Sequence, residues 1–268
     1  MKFFLLILFI TNITYSQNPD IEWQNTINAN GFDSISTSVQ SSDGGTLLVA
    51  TSDSDVSGDK SENSNGGNDI WIVKVDYLGT IQWQQTIGGS LSDFINMALE
   101  TQDGGFVLAG GSKSTISGDK TEENIGENDV WIIKINATGI IEWQSTIGGT
   151  ASDSARAIST TSDNGYIISA SSESGISGNK TDASKGRIDI WLLKLMNLGD
   201  ILWQKTIGSN NDDIPSVVKQ TTYGGYIIGS YSNSGISGDK TEDVSGFQDF
   251  WIIKTDSSGI IEWENTIG

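Results

Sequence analysis

The sequence predicts an all-β fold, a propeller-like array of four-stranded antiparallel blades. Three observations carry this: a strict internal repeat, period-two apolar alternation, and glycine-rich turns at fixed positions. The repeat comes first. Trp23, Trp83, Trp143, Trp203 and Trp263 stand 60 residues apart, as do Trp71, Trp131, Trp191 and Trp251, and together they are all nine tryptophans of the 268-residue chain. Asp33, Asp93, Asp153 and Asp213 keep the same spacing, as do Asp69, Asp129, Asp189 and Asp249. Self-similarity at a fixed period marks a repeat architecture, in which each unit buries its faces only against its neighbours.

Each unit reads as four strands. The first, as in Ser34–Gln40, runs into the turn Asp43-Gly44-Gly45, echoed by Asp103-Gly104-Gly105, Asp163-Asn164-Gly165 and Tyr223-Gly224-Gly225. Gly and Asn supply the positive φ that such a turn needs. The second strand follows, as Thr46–Thr51 or Tyr226–Ser230. A loop of about 16 residues comes next, carrying Ser57-Gly58-Asp59-Lys60 and its copies. The third strand, Asp69–Val75 and its copies, is apolar on both faces apart from Lys74, as expected of a strand covered on two sides. After a turn at Gly79 the fourth strand, Ile81–Ile87, alternates as a half-buried strand does. Four hairpin-connected strands per unit suit a propeller blade better than the shorter coils of a solenoid.

The units are expected at 33–88, 93–148, 153–208 and 213–268. Residues 1–16 read as a secretory signal peptide, with Lys2, the apolar run Phe3 to Ile10, and small residues at Thr14 and Ser16. That run is too short to span a bilayer, so the expectation is an exported chain, secreted or at the cell surface, with no membrane insertion after cleavage. Residues 17–32 would contribute a strand, Ile21–Ile27, that completes a blade. Because Ile261–Ile267 ends the chain on the same element, the expectation is an incomplete ring or a piece of a longer protein.

Composition narrows the chemistry. The formal net charge is −19, which repels polyphosphates and argues against nucleic acid as a partner. Neither Cys nor His is present, so disulfides, nitrogen- or sulfur-ligated metals and histidine-based triads are excluded. Oxygen-ligated cations and paired carboxylates survive this filter.

The segment Ile72-Val73-Lys74-Val75-Asp76-Tyr77-Leu78-Gly79-Thr80-Ile81-Gln82-Trp83 resembles the blade hairpin of quinoprotein-type propellers, which implies the fold but carries over no cofactor residue. The whole unit is more similar to extracellular repeat proteins of Bacteroidetes. The shared segments read here as Asn164-Gly165-Tyr166-Ile167-Ile168 and Asp249-Phe250-Trp251-Ile252-Ile253-Lys254. That resemblance implies cell-surface display and type IX secretion, although the sorting domain usual in such proteins does not occur before Gly268.

Candidate residues follow from the repeat. The tryptophans Trp71, Trp83, Trp131, Trp143, Trp191, Trp203, Trp251 and Trp263 could stack sugars, but burial between blades is the preferred reading. Asp69, Asp129, Asp189 and Asp249 could ligate calcium or act as acids. Capping of turns by backbone N–H donors is preferred, with Lys74, Lys134, Lys194 and Lys254 as ion-pair partners. The loop acids Asp59, Glu62, Asp119, Glu122, Asp239 and Glu242 are weak calcium candidates. They lack the alternation of an EF-hand, position 179 is Asn, and a lysine stands beside each of the aspartates, so a solvated turn is preferred.

No catalytic constellation breaks the symmetry of the repeat; Arg156, Arg187 and Pro215 form none. The functional expectation is therefore a non-enzymatic display, adhesion or binding module for an extracellular glycan or protein. The alternatives are a polysaccharide-acting enzyme or its carbohydrate-binding accessory module, and a structural spacer of a longer secreted protein.

Overall fold

The computed structural model describes residues 20–268; the expected signal peptide at 1–16 lies outside them. The described residues form sixteen strands in four sheets and no helix. Sheet 1 holds β1 (Asp33–Gln40), β2 (Thr46–Ser52), β3 (Asp69–Val75) and β4 (Ile81–Ile87). Sheet 2 holds β5 (Asp93–Glu100), β6 (Phe106–Ser112), β7 (Asp129–Ile135) and β8 (Ile141–Ile147). Sheet 3 holds β9 (Asp153–Thr160), β10 (Tyr166–Ser172), β11 (Asp189–Leu195) and β12 (Ile201–Ile207). Sheet 4 holds β13 (Asp213–Gln220), β14 (Tyr226–Ser232), β15 (Asp249–Thr255) and β16 (Ile261–Ile267). Each is an antiparallel meander in chain order, and none closes into a barrel.

The turn chemistry works as the composition requires. Gly44, Gly104 and Gly224 adopt φ of 87°, 77° and 91°, and Asn164, at 63°, is the one non-glycine residue with positive φ among the described residues. Asn tolerates that region because its short amide bonds locally, so the third repeat keeps the same turn without glycine.

Consecutive sheets pack face to face, with β1, β5, β9 and β13 neighbouring one another in that order. Three apolar clusters fill the three junctions. Trp131 lies between sheets 1 and 2, Trp191 between sheets 2 and 3, and Trp251 between sheets 3 and 4, all fully buried. Each therefore plugs the junction with the preceding repeat. Burying roughly 200 Å² per indole removes about 5 kcal/mol of apolar hydration before the cost of ordering, a contribution each repeat draws from its neighbour.

The expected strand at Ile21–Ile27 does not form. Residues 20–30 have no regular structure, because no neighbouring third strand is there to complete a ladder. The segment nevertheless takes the place of a fourth strand. A Cβ on Gly79 would fall 2.6 Å from the Trp23 ring, as one on Gly139 would fall 2.9 Å from Trp83. Asn25 also donates to the Gly79 carbonyl at 3.2 Å. Ile27 and Ala29 cover Trp71 on the outer face of sheet 1.

Candidate functional site

The two ends of the stacked sheets differ. At one end lie the long loops after each second strand; at the other lie the tight turns after each first strand.

At the loop end most residues, Asp59 and Glu62 among them, are exposed as in a solvated turn, but Lys60, Lys120, Lys180 and Lys240 are buried. Lys60 Nζ donates to the carbonyls of Ser54 and Glu62, each at 2.8 Å. Lys120 Nζ donates to the Glu122 carbonyl at 3.0 Å and lies 5.5 Å above the Trp131 ring. Burial pushes the ammonium of Lys60, Lys120 and Lys180 below its ordinary pKa, against the pull of nearby carboxylates. The ammonium thus fills the oxygen-lined centre of the loop, where a bound cation would have to sit.

The calcium candidates have other partners. Asp119 accepts from the Gly88 N–H at 3.1 Å and returns its own N–H to the Gly88 carbonyl at 2.9 Å, clasping the preceding repeat. Asp239 does the same to Gly208, and Asp59 to Asn28. Asn179 clasps Gly148 equally well, since an amide oxygen accepts as a carboxylate does. Glu62, Glu122 and Glu242 accept from the N–H groups of Thr86, Thr146 and Thr266. Among the described residues, no group of three or more acids converges as a metal site would need.

The Asp69 series caps the loop before the third strand. Asp69 accepts from the Asn65 N–H at 2.6 Å and from the Ser64 hydroxyl; Asp129, Asp189 and Asp249 repeat this with Ile125, Lys185 and Ser245. Burial pushes the Asp69 and Asp129 carboxyls up. These acids do not pair with the Lys74 series, contrary to expectation, because the lysine lies near the far end of the same strand. Lys74 instead meets Asp43 of its own turn at 2.9 Å, and Lys194 meets Asp163 at 2.9 Å. In the fourth repeat Tyr223 replaces the turn acid, and Lys254 meets Glu262 at 2.7 Å.

The symmetry breaks at the turn end. In sheet 2 the last first-strand residue, Glu100, reaches back to the Ser42 N–H of the preceding turn at 2.8 Å. In sheet 4 Gln220 reaches the Ser162 N–H at 2.7 Å. The equivalent residue of sheet 3 is Thr160, whose side chain ends too soon to reach Gln102. Between sheets 2 and 3 a cleft of about 650 Å³ opens, lined by residues that include Glu100, Asp103, Glu142, Trp143, Thr160 and Tyr166. Sequence reading missed this site, because it lies in what one column of the repeat lacks. The signal was the column Gln40, Glu100, Thr160, Gln220, in which one member is short.

The cleft combines an aromatic floor with ionised walls. Trp143 and Tyr166 lie 6.3 Å apart at 53°, with Trp143 half-buried and Tyr166 buried. Lys134 Nζ holds Asp103 at 3.0 Å and Glu142 at 2.8 Å. The Thr101 hydroxyl, the Gly105 N–H and Lys134 hold the Asp103 carboxyl down at about 2, against desolvation. With the Glu100 carboxylate also lining the cleft, three carboxylates against the single Lys134 ammonium leave the mouth negative, which disfavours anions. Of the sequence-predicted residues Trp143 and Lys134 lie here. Trp71, Trp131, Trp191 and Trp251 are core, Trp83 and Trp203 are half-buried at the other junctions, and Trp263 is half exposed.

No protein-family model and no curated protein matches the chain. Among solved structures it is similar to a protein of unknown function from Bacteroides caccae, at 12% identity over 87% of this chain and 81% of that one, with a TM-score of 0.31.

Proposed function

We propose that the chain is an exported, non-enzymatic binding module whose cleft between the second and third repeats takes a neutral, hydroxyl-rich ligand, an extracellular glycan. The observation that carries this reading is the cleft that opens beside Thr160, where the turn-end bridge made by Glu100 and Gln220 at the other two junctions is missing. A partly exposed indole edge beside carboxylates, amides and hydroxyls offers both apolar contact and many acceptors, as sugar recognition requires. Export rests on the signal-like residues 1–16.

One observation favours the alternative of a polysaccharide-acting enzyme: Asp103 and Glu142 share a single ammonium, so their carboxylates are close. Hydrolysis of that kind needs one carboxyl protonated near neutral pH. Asp103, held at about 2, fits only the ionised partner of such a pair, and the Glu142 carboxylate is taken up by the Lys134 ammonium at 2.8 Å. Binding without turnover is the better reading.

The test is a glycan array followed by calorimetry and a reducing-sugar assay on the purified chain and on Thr160→Gln. The longer side chain should bridge to the Gln102 N–H as Gln220 does to Ser162, close the cleft and abolish binding while the fold stays intact. Unchanged binding in Thr160→Gln would remove the cleft from the proposal, and sugar release lost in Asp103→Asn would replace binding with catalysis.

A further inference from the structure

Sheets 1 to 3 each cover one apolar face with the next repeat; sheet 4 does not. In sheet 3 that face is Ala157, Ile167, Ile190, Leu192 and Ile207, all buried against sheet 4. The same positions in sheet 4 are Val217, Ile227, Phe250, Ile252 and Ile267. Phe250 is 70% exposed, whereas its counterpart Ile190 is fully buried. Gly268 stands where Gly88, Gly148 and Gly208 each receive the clasp of the following repeat's loop.

The opposite face, on sheet 1, carries the matching surface: Trp71, Val73 and Leu48 stand where Trp251, Ile253 and Ile228 meet sheet 3. It is covered by the irregular segment at 20–32. Six of seven residues of Ile21–Ile27 are identical to Ile261–Ile267, the difference being Gln24 against Glu264. Asp59 holds Asn28 of that segment through the same pair of bonds that Asp119 makes to Gly88.

We infer that the open face of sheet 4 is a docking surface for sheet 1 of a second copy of this chain. In that contact β16 displaces the partner's 20–32 segment and takes over its contacts to Gly79 and Asp59. The junction is then a fourth instance of the three already inside the molecule, formed by exchanging one near-identical element for another. Such a contact is heterologous, so it does not stop at two copies unless the rotation closes a ring. The like net charge opposes it at low salt and is screened at moderate ionic strength, where the Debye length is about 8 Å.

Sedimentation velocity of the purified chain over a range of concentrations at moderate salt tests the inference. The expected result is concentration-dependent association, either an open series or a closed ring. Phe250→Asp and Val217→Lys should each weaken it at least tenfold, while the control Tyr223→Asp, on an exposed turn, leaves it unchanged. Trp23→Ala, which loosens the competing segment, should strengthen association several-fold; a merely sticky patch would not respond. Circular dichroism establishes that each variant is folded. A monomer at every concentration overturns the inference, as does association that survives both sheet 4 variants, or a Trp23→Ala chain that associates no better.

Discussion

At the loop end the three inner junctions are built identically: Asp119, Asn179 and Asp239 clasp Gly88, Gly148 and Gly208. At the turn end they are not: among the described residues Glu100 bridges the first junction and Gln220 the third, whereas the second lacks that bridge and is crossed at mid-strand by Asn96, which donates to the Ala155 carbonyl at 2.7 Å. The only exchange at the loop clasp, Asn for Asp, preserves the acceptor. The turn-end column runs through Gln, Glu and Thr. The difference teaches where the stack is held. Buried lysines and clasps order the repeats at one end, which leaves the other free to open at one junction without loss of the array.

The comparison is broken most directly through its two lysine series. Lys120 and Lys134 are both buried. Removing Lys120 strands a carbonyl and the Thr146 hydroxyl in the interior and uncovers the Trp131 face. Removing Lys134 leaves two carboxylates already about half exposed to water. Lys120→Ala should therefore cost about 3–5 kcal/mol, and Lys134→Ala about 1 kcal/mol, in urea unfolding monitored by tryptophan fluorescence. The reverse order would place the anchorage of the array at the turn end. At the clasp, Asp119→Ala should cost about 1–3 kcal/mol by leaving the Gly88 N–H unpaired. Asp119→Asn should fall within about 0.5 kcal/mol of the parent, because Asn179 already performs that task.

Much of the architecture was legible before any coordinates. The third and fourth strands of the first repeat run over the residues their apolar patterns mark, and the first and second differ by one residue at an end. Repetition supplies that clarity, since four copies of one pattern average out local exceptions. The same averaging hid the site. Thr160 carries no chemistry of its own, and its effect is the absence of a bridge between residues about 60 positions apart. Lys60 and its copies were misread for a related reason. A lysine flanked by Ser, Gly, Asp and Glu looks solvated, and nothing local reveals that carbonyls of its own loop converge on its ammonium. Ile21–Ile27 has the alternation of a strand, but a strand also needs a neighbour.

Thr160→Gln sharpens the comparison by making the second junction like the other two. If the bridge forms, it adds one hydrogen bond across the cleft, and stability should rise by up to about 1 kcal/mol. A loss of stability instead would mean that the cleft is held open by packing elsewhere, through Trp143 and Tyr166, rather than by the short side chain.

The smallest expected effect separates the two ends by their acids. At the turn end, Asp43, Asp103 and Asp163 are held at about 2, below the ordinary 3.8 of the unfolded chain. Each is deprotonated more readily in the folded state, so its stabilisation is complete above about pH 4 and is lost as pH falls toward 2. At the loop end, Asp69, Asp129 and Asp213 are pushed up by burial. They take up protons in the folded state first, so their contribution runs the other way and favours the fold as pH falls into their raised range. The turn acids are more than half exposed, so solvent reduces each to well under 1 kcal/mol. Asp163→Asn should therefore flatten the acid limb of a stability–pH profile between about pH 4 and 2 by a few tenths of a kcal/mol. Asp129→Asn should remove part of the fold's tolerance of acid above that range. Urea unfolding at half-unit pH steps distinguishes the two, and identical profiles for both variants would show that the ends do not differ electrostatically.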